Sequence, residues 1–433
     1  MTDSSRSASR SDCGCPEFRL GRRGFLAAAA AGSALAAGGS LFGQAHRQVS
    51  FAATTGGNVL VVLSLRGGAD GLSLVVPRLP EDREVLRKLR PGIAVPENSL
   101  IGGDAAFGLH PEFAPLLPMW RAGSFGAVHA VGLPAPNRSH FDAMEAIEDA
   151  DPGSSARSGW LNRMVGLDAG AGPETAMHLG SSLLPTSLVG PAPALGAGAV
   201  KDLALTDLGT GAAARRTSLR QMWQGETGVL ADSLRATLGT TERLAPLAEA
   251  AADRGAVHAS AYPDGPLRAV LANTAALIRA DVGTRVVTVD YGNWDMHNGL
   301  ADGDRNPTRG WLAEQVRHLA GSLAAFFTDL GPAASRVTVV TLSEFGRRVE
   351  ENGDHGVDHG YGNAMLLLGA GVRGGAVHGR WPGLGMLEQG DLPTTTDYRS
   401  VLWEVLTNRF PEVSGGRAGI FPGFVPETVR TMR

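Results

Sequence analysis

The sequence predicts an α/β fold, a three-layer sandwich in which a mostly parallel sheet lies between helices. Several short runs rich in Val and Leu are apolar along their whole length, which is typical of strands that are buried on both faces. These runs cover residues 58–65, 125–131, 284–290, 336–342 and 364–368. Helical patterns lie between the runs, and this alternation favours parallel strands joined by helices. The helical patterns cover residues 141–150, 208–253, 267–281, 308–330 and 398–409.

The composition is that of a large globular protein. The chain has 433 residues, of which 43% are hydrophobic and 19% are charged. It can therefore bury a sizeable core, and it is neither a disordered nor a fibrous chain. The formal net charge is -4 and the pI is about 6.3, so the sequence shows no basic surface and we expect no nucleic-acid partner.

The first 45 residues have the parts of an export signal in the expected order. Arg22 and Arg23 stand before Phe25 and a weakly apolar run of Ala and Gly, and small residues follow where a cleavage site is expected. This order is typical of a twin-arginine signal peptide. We therefore expect residues 1–45 to be removed after passage through the twin-arginine translocase. The mature protein, residues 46–433, would then be periplasmic or extracellular.

Removal of the signal peptide also removes both cysteines, Cys13 and Cys15. A mature chain without thiols has no disulfide, no zinc–thiolate site and no cysteine nucleophile. Its net charge is -6, because residues 1–45 carry five arginines and three acids.

One long segment differs from the rest of the mature chain. Residues from about 151 to 263 are rich in Ala and Gly and have few strand signals. We expect this segment to be a helical cap or insertion within a single catalytic domain.

Polar side chains follow the predicted strands directly. In open parallel sheets, ligands bind outside the carboxyl ends of the strands, so residues at these ends are candidates for one shared site. Asp70 follows the first run, Arg138, Ser139 and His140 follow the second, Asp295 and His297 follow the third, and Glu344, Asp358 and His359 follow the fourth.

The carboxylates and imidazoles of this set are candidate metal ligands. Such groups without thiolates suit Zn, Mn, Fe or Ca, and we expect one or two divalent ions. The predicted ligands are Asp70, Asp295, His297, Glu344, Asp358 and His359. Two of them have structural alternatives, because Asp70 could only shape a turn and Glu344 could pair with Arg347.

The candidate catalytic residues are Arg138, Ser139 and His140. A serine hydroxyl is a weak nucleophile at neutral pH and would need a metal ion to lose its proton. The guanidinium of Arg138 matches the oxygens of a transferred phosphoryl or sulfuryl group. Alternatively, Ser139 is only the N-cap of the helix that follows it.

Several motifs resemble one family over essentially the whole mature chain. They are RSHF at residues 138–141, a D-x-H loop at 295–297, SEFGRR at 343–348 and a loop with DHG at 352–363. Together with the twin-arginine signal and the strand end LRGGADGL, they resemble domain-of-unknown-function family 1501, which is grouped with the alkaline phosphatase and sulfatase superfamily. The resemblance implies an alkaline-phosphatase-like sandwich with metal ions held at the carboxyl end of the sheet.

The resemblance also implies roles by position. Asp70 would match the metal-binding Asp after the first strand, and Ser139 would match the nucleophile. Asp295 and His297 would match the Asp/His pair of one ion, and His359 would match the late histidine.

The chain departs from the superfamily pattern at two places. Glu344 and Phe345 stand where the superfamily has Asp and His, so one imidazole of a second ion is missing. Residues 134–138 lack the C/S-x-P-x-R context of a formylglycine sulfatase, which argues against that class.

From these observations we expect an exported, metal-dependent hydrolase of phosphate or sulfate esters that acts on a small-molecule or polymer substrate. The alternative is a non-catalytic extracytoplasmic protein that uses the same fold for binding or assembly, and the missing imidazole favours it. A third interpretation is oxidation chemistry at a non-haem iron, because two histidines with carboxylates can also hold iron.

Overall fold

The computed structural model describes residues 56–151, 157–203, 212–259, 261–301 and 306–433. The predicted signal peptide, residues 1–45, lies outside the described residues, and so do both cysteines.

Nine strands of the described residues form one sheet, in the order β10-β4-β9-β8-β1-β7-β5-β6 with β11 beside β4, and β2 pairs with β3 separately. The strands in chain order are β1 (Val59–Leu65), β2 (Val75–Pro77), β3 (Phe107–Leu109), β4 (Phe125–Gly132), β5 (Ala176–Leu179), β6 (Leu195–Ala197), β7 (Val286–Tyr291), β8 (Val337–Leu342), β9 (Asn363–Gly369), β10 (Val377–His378) and β11 (Thr396–Asp397). The predicted α/β class with a mostly parallel sheet is confirmed.

Strand β9 is the exception to the parallel order. It pairs antiparallel with both neighbours, β4 and β8, whereas the other pairings of the large sheet are parallel. The amino end of β9 therefore lies at the same edge as the carboxyl ends of β4, β8, β1 and β7. As a result, the loop between β8 and β9 begins and ends at that edge.

The helices of the described residues follow the predicted patterns, with one break. They are α1 (Gly71–Leu74), α2 (Pro80–Leu89), α3 (Leu117–Arg121), α4 (His140–Asp149), α5 (Trp160–Val165), α6 (Ala212–Trp223), α7 (Val229–Ala259), α8 (Leu267–Ala280), α9 (Trp311–Leu330), α10 (Tyr398–Arg409) and α11 (Arg417–Ile420). The helical pattern predicted over about residues 208–253 corresponds to two separate helices, α6 and α7. The break contains Gly228, whose φ of 106° is incompatible with a continuous right-handed helix.

The central strand β1 is buried on both faces, as its apolar sequence predicts. Val59, Val61 and Leu63 belong to the core on the face that α8 and α9 cover. Leu60 and Val62 belong to the core on the opposite face, which α4, α5 and α10 cover. This alternation follows from the two-residue period of a strand.

The segment from about 151 to 263, predicted as a cap or insertion, also contributes to the sheet. It supplies β5 and β6, which extend the sheet beyond β7. Its helices α6 and α7 follow these strands. The strand signals were weak because β5 and β6 have only four and three residues.

His129 on β4 is held in its neutral form. The side chain is buried, its Nε2 lies 2.9 Å from the Val75 carbonyl oxygen, and its Nδ1 accepts from the Ala130 N–H at 2.9 Å. Burial lowers the pKa of His129 to about 4, although the contact with Val75 opposes the shift. The unfolded chain therefore binds a proton here at a higher pH than the folded chain does.

We predict that this histidine makes the fold less stable in acid. Between pH 6.5 and about 4 the unfolded state takes up the proton and the folded state does not, so the free energy of unfolding falls by up to about 3 kcal/mol. Chemical denaturation at several pH values should show a shallower slope for His129→Gln than for the wild type. Equal slopes in the variant and the wild type would contradict the assignment.

Candidate metal centre

Four of the predicted site residues converge at the carboxyl edge of the sheet. They are His140, Asp295, His297 and His359, and each offers a ligand atom within 4.8 Å of the others. His140 is the first residue of α4, Asp295 and His297 follow β7, and His359 lies in the loop between β8 and β9. The antiparallel course of β9 keeps this last loop at the edge where the other three residues lie.

The imidazole Nε2 atoms surround one carboxylate oxygen. Asp295 Oδ1 lies 3.3 Å from His140 Nε2, 3.1 Å from His297 Nε2 and 3.5 Å from His359 Nε2. The Nε2 atoms of His297 and His359 are 2.8 Å apart. The four atoms are therefore arranged as the ligands of one ion would be.

The orientation of His140 is set from behind by a buried carboxylate. His140 Nδ1 lies 2.9 Å from Glu344 Oε1, and the same oxygen accepts from the Gly67 N–H at 2.7 Å. A carboxylate only accepts hydrogen bonds, so Glu344 can hold a proton on His140 Nδ1, which leaves Nε2 available to donate a lone pair to a cation.

The other two imidazoles are held in the same way. His297 Nδ1 donates to Asp358 Oδ1 at 2.8 Å, and Asn352 Nδ2 donates to the same oxygen at 3.0 Å. The hydrogen bond from His297, with that from Asn352, holds the pKa of Asp358 below its ordinary value. His359 Nδ1 donates to the Arg138 carbonyl oxygen at 2.7 Å. All three Nε2 atoms can thus donate a lone pair to a cation.

Arg347 fixes the carboxylate of the cluster. Its buried guanidinium donates from Nη2 to Asp295 Oδ1 at 2.7 Å, from Nε to the Gly68 carbonyl at 2.6 Å and from Nη1 to the Val357 carbonyl at 2.9 Å. Partial burial would raise the pKa of Asp295, but the hydrogen bond and the charge of Arg347 hold it below its ordinary value. Asp295 therefore stays ionised next to the three imidazoles.

This arrangement fits a divalent cation. The Nε2 atoms of His297 and His359 lie 2.8 Å apart, and His140 Nε2 is buried without a hydrogen-bond partner. A cation among them would satisfy every one of these atoms. Three imidazoles and one carboxylate suit Zn, Mn or Fe, whereas Ca prefers a shell of oxygens.

Two predicted ligands lie behind the imidazoles instead of inside the cluster. Glu344 contacts His140, and Asp358 contacts His297. Carboxylates in this position fix the tautomer and the direction of a ligating imidazole and make it more basic. Glu344 and Asp358 therefore lie where they can orient imidazoles of the cluster, whereas the sequence predicts them as metal ligands.

Asp70, which the sequence predicts as a ligand, is not among the four residues of the cluster. Its Oδ2 is 2.5 Å and its Oδ1 is 3.0 Å from the guanidinium of Arg90, and Ser73 Oγ donates to Oδ2 at 2.5 Å. Burial opposes ionisation, but Arg90 holds the pKa of Asp70 below its ordinary value. Both oxygens face Arg90, so Asp70 forms a buried ion pair.

Ser139 and Arg138 flank the cluster through the backbone. Ser139 is the N-cap of α4, and its Oγ accepts from the Asp142 N–H at 3.4 Å, which is the structural role considered for it. The guanidinium of Arg138 pairs with the buried carboxylate of Asp391, while its carbonyl holds His359. Ser139 thus lies between Arg138, whose carbonyl oxygen contacts His359, and His140, which belongs to the cluster.

The sequence did not identify Arg347 and Asn352 as parts of the centre. The pairing of Arg347 with Glu344 is wrong, because Arg347 contacts Asp295 and Glu344 contacts His140. The motif SEFGRR contained the signal, but nothing in it distinguishes the buried Arg347 from Arg348, whose side chain is 37% exposed.

Among the described residues, no helix combines the length and the hydropathy that a membrane span requires. No curated protein sequence matches the chain. The C-terminal periplasmic domain of EcEptC from Escherichia coli is similar at 10% identity and a TM-score of 0.34, over 89% of this chain and 92% of that one. A likeness of this size does not bear on function.

A family model covers most of the sheet and all four residues of the cluster. It matches residues 115–398 and describes a protein of unknown function, DUF1501. The resemblance seen in the motifs is confirmed at this level: the chain belongs to the DUF1501 family.

Proposed function

We propose that this protein is an exported, metal-dependent hydrolase of phosphate or sulfate esters. The observation that carries the proposal is the convergence of three imidazole Nε2 atoms on Asp295 Oδ1, with each ring fixed by a hydrogen bond at Nδ1. A centre of this kind, open at a sheet edge, is the usual place for a metal-assisted displacement. The fold is the alkaline-phosphatase-like sandwich in this proposal.

In this mechanism the ion, when bound, supplies positive charge that stabilises the oxygens of the transferred group. The side chains hold it with a lone pair from each of His140, His297 and His359 and with the carboxylate of Asp295. Ser139 Oγ forms a bond to phosphorus or sulfur as its proton is lost to solvent. The ester oxygen leaves and takes a proton from water, and a water molecule later displaces Oγ and restores Ser139.

We expect one ion per chain. The four ligand atoms lie close enough to share one ion, and the remaining carboxylates at this edge are already engaged among the described residues. Glu344 and Asp358 orient imidazoles, and Asp70 is paired with Arg90. The buried charge of Arg347 lies 2.7 Å from Asp295 and also lowers the pKa of Asp70, so a second cation there would meet an existing positive charge.

We predict that the mature protein binds one equivalent of Zn or Mn and melts at a higher temperature with it. His359→Ala should lose the ion, and Asp358→Ala should weaken its affinity by roughly ten- to a hundredfold, because His297 loses its anchor. His355→Ala is the matched control, since this histidine lies in the same loop but contacts Glu351. Elemental mass spectrometry that finds two equivalents, or loss of the ion in His355→Ala, would refute this metal centre.

We predict that removal of the Ser139 hydroxyl abolishes turnover. Ser139→Ala removes the nucleophile together with the N-cap, which costs about 1 kcal/mol of stability. Ser139→Asn removes only the nucleophile, because Asn is an equally good N-cap. Aryl phosphates, phosphodiesters and aryl sulfates are assayed with the Zn- or Mn-loaded protein. Activity that survives in Ser139→Asn would exclude Ser139 as nucleophile, and a loaded wild type without any turnover would favour the non-catalytic alternative.

We predict export through the twin-arginine translocase. The double variant Arg22→Lys, Arg23→Lys keeps the charge but removes the paired guanidinium groups of the signal. It should remain in the cytoplasm as the full-length chain, whereas the wild type should be found outside as the mature form. Cell fractionation with immunoblotting distinguishes these results; unchanged export of the double variant would rule out this pathway.

A second candidate function is oxidation chemistry at iron. Three imidazoles and one carboxylate form a set of ligands that also suits Fe. Iron as the metal of the purified protein, with no hydrolysis of any ester, would favour this candidate.

A further inference from the structure

A cavity of about 620 Å³ opens directly beside the metal centre. His140, Asp295 and Glu344 form one side of it, so a group bound at the ion would extend into it. The volume is in the range of sites for small molecules. We call this space the side cavity; its interpretation rests on the proposed ester hydrolase.

Phe141 gives the side cavity an aromatic wall. It follows His140 directly in α4, and its side chain is 89% exposed. A phenylalanine that is almost fully exposed contributes little to the core, and water contact at its faces is unfavourable. Met144, three residues later on the same helix, also lines the cavity and extends the apolar surface.

Each positive charge of the side cavity has an acidic partner. Away from the cluster, Arg66 pairs with Glu148 and with Asp290, and Arg157 pairs with Glu145. The cavity therefore offers no unpaired positive charge to an anionic ligand, and its acidic groups disfavour one. These charges favour an uncharged group there, with the charge of the ester confined to the end at the ion.

We propose that the side cavity binds the uncharged, ring-bearing organic group of the ester and that this ring stacks on Phe141. The substrate class is a small-molecule monoester of phosphate or sulfate with a planar ring next to the ester oxygen. The position of Phe141 next to a ligand of the ion brings the ring and the ester group to adjacent places. Phe141 is then a residue that determines specificity and takes no part in bond breaking.

Phosphonates and sulfonates that cannot be hydrolysed test the proposal, because they report binding without turnover. The ligands are phenylphosphonate and methylphosphonate, together with benzenesulfonate and methanesulfonate, titrated calorimetrically into the Zn- or Mn-loaded protein. In Phe141→Ala the Kd of the phenyl ligand should rise about tenfold, while the Kd of the methyl ligand should not change. Phe141→Trp should restore tight binding, since it keeps an aromatic face.

Leu230→Ala is the matched control, because Leu230 is another exposed apolar side chain, 69% exposed, on α7. It should leave all four affinities unchanged. Equal losses for phenyl and methyl ligands in Phe141→Ala, or no loss for either, would overturn the stacking role while the hydrolase proposal stands. If none of the four ligands binds to the loaded wild type, the hydrolase proposal fails and the side cavity has no ester to receive.

Discussion

The centre depends on three hydrogen bonds that lie behind its imidazoles. Glu344, Asp358 and the carbonyl of Arg138 each accept from an Nδ1–H, so all three Nε2 atoms are directed at Asp295. Without these acceptors the rings could rotate or change tautomer. The surrounding structure thus holds the imidazoles in place before a cation binds, which is a preorganised arrangement.

Arg347 connects this centre to the fold. One buried guanidinium contacts Asp295 and the carbonyls of Gly68 and Val357, which belong to segments after β7, after β1 and before β9. A planar group with five donors can hold three segments at once, which a lysine could not do. The geometry of the cluster therefore depends on the register of the sheet as well as on its own ligands.

The start of α4 lies between the candidate metal centre and the side cavity. Its first residue, His140, faces the cluster, and the next residue, Phe141, faces the side cavity. Both directions follow from the position of the N-cap at Ser139, which fixes where the helix begins. A residue of the candidate metal centre, the proposed nucleophile and the proposed ring contact thus lie within three consecutive residues at one helix start.

Local pattern was sufficient for much of this protein. The apolar runs indicated β1, β4, β7, β8 and β9, because a strand that is buried on both faces is apolar along its whole length. The polar residues after these runs included every member of the cluster, because ligands bind at the carboxyl ends of parallel strands. The sequence could not distinguish the residues of the cluster from the residues that orient them. Glu344 and His140 are 204 residues apart in the chain, and only the folded structure brings them within the distance of about 3 Å that a hydrogen bond requires. Asp70 shows the same limit. The sequence places its carboxylate at a strand end, where a metal ligand is expected. Only the tertiary structure packs Arg90 against this carboxylate, so that the two side chains form an ion pair.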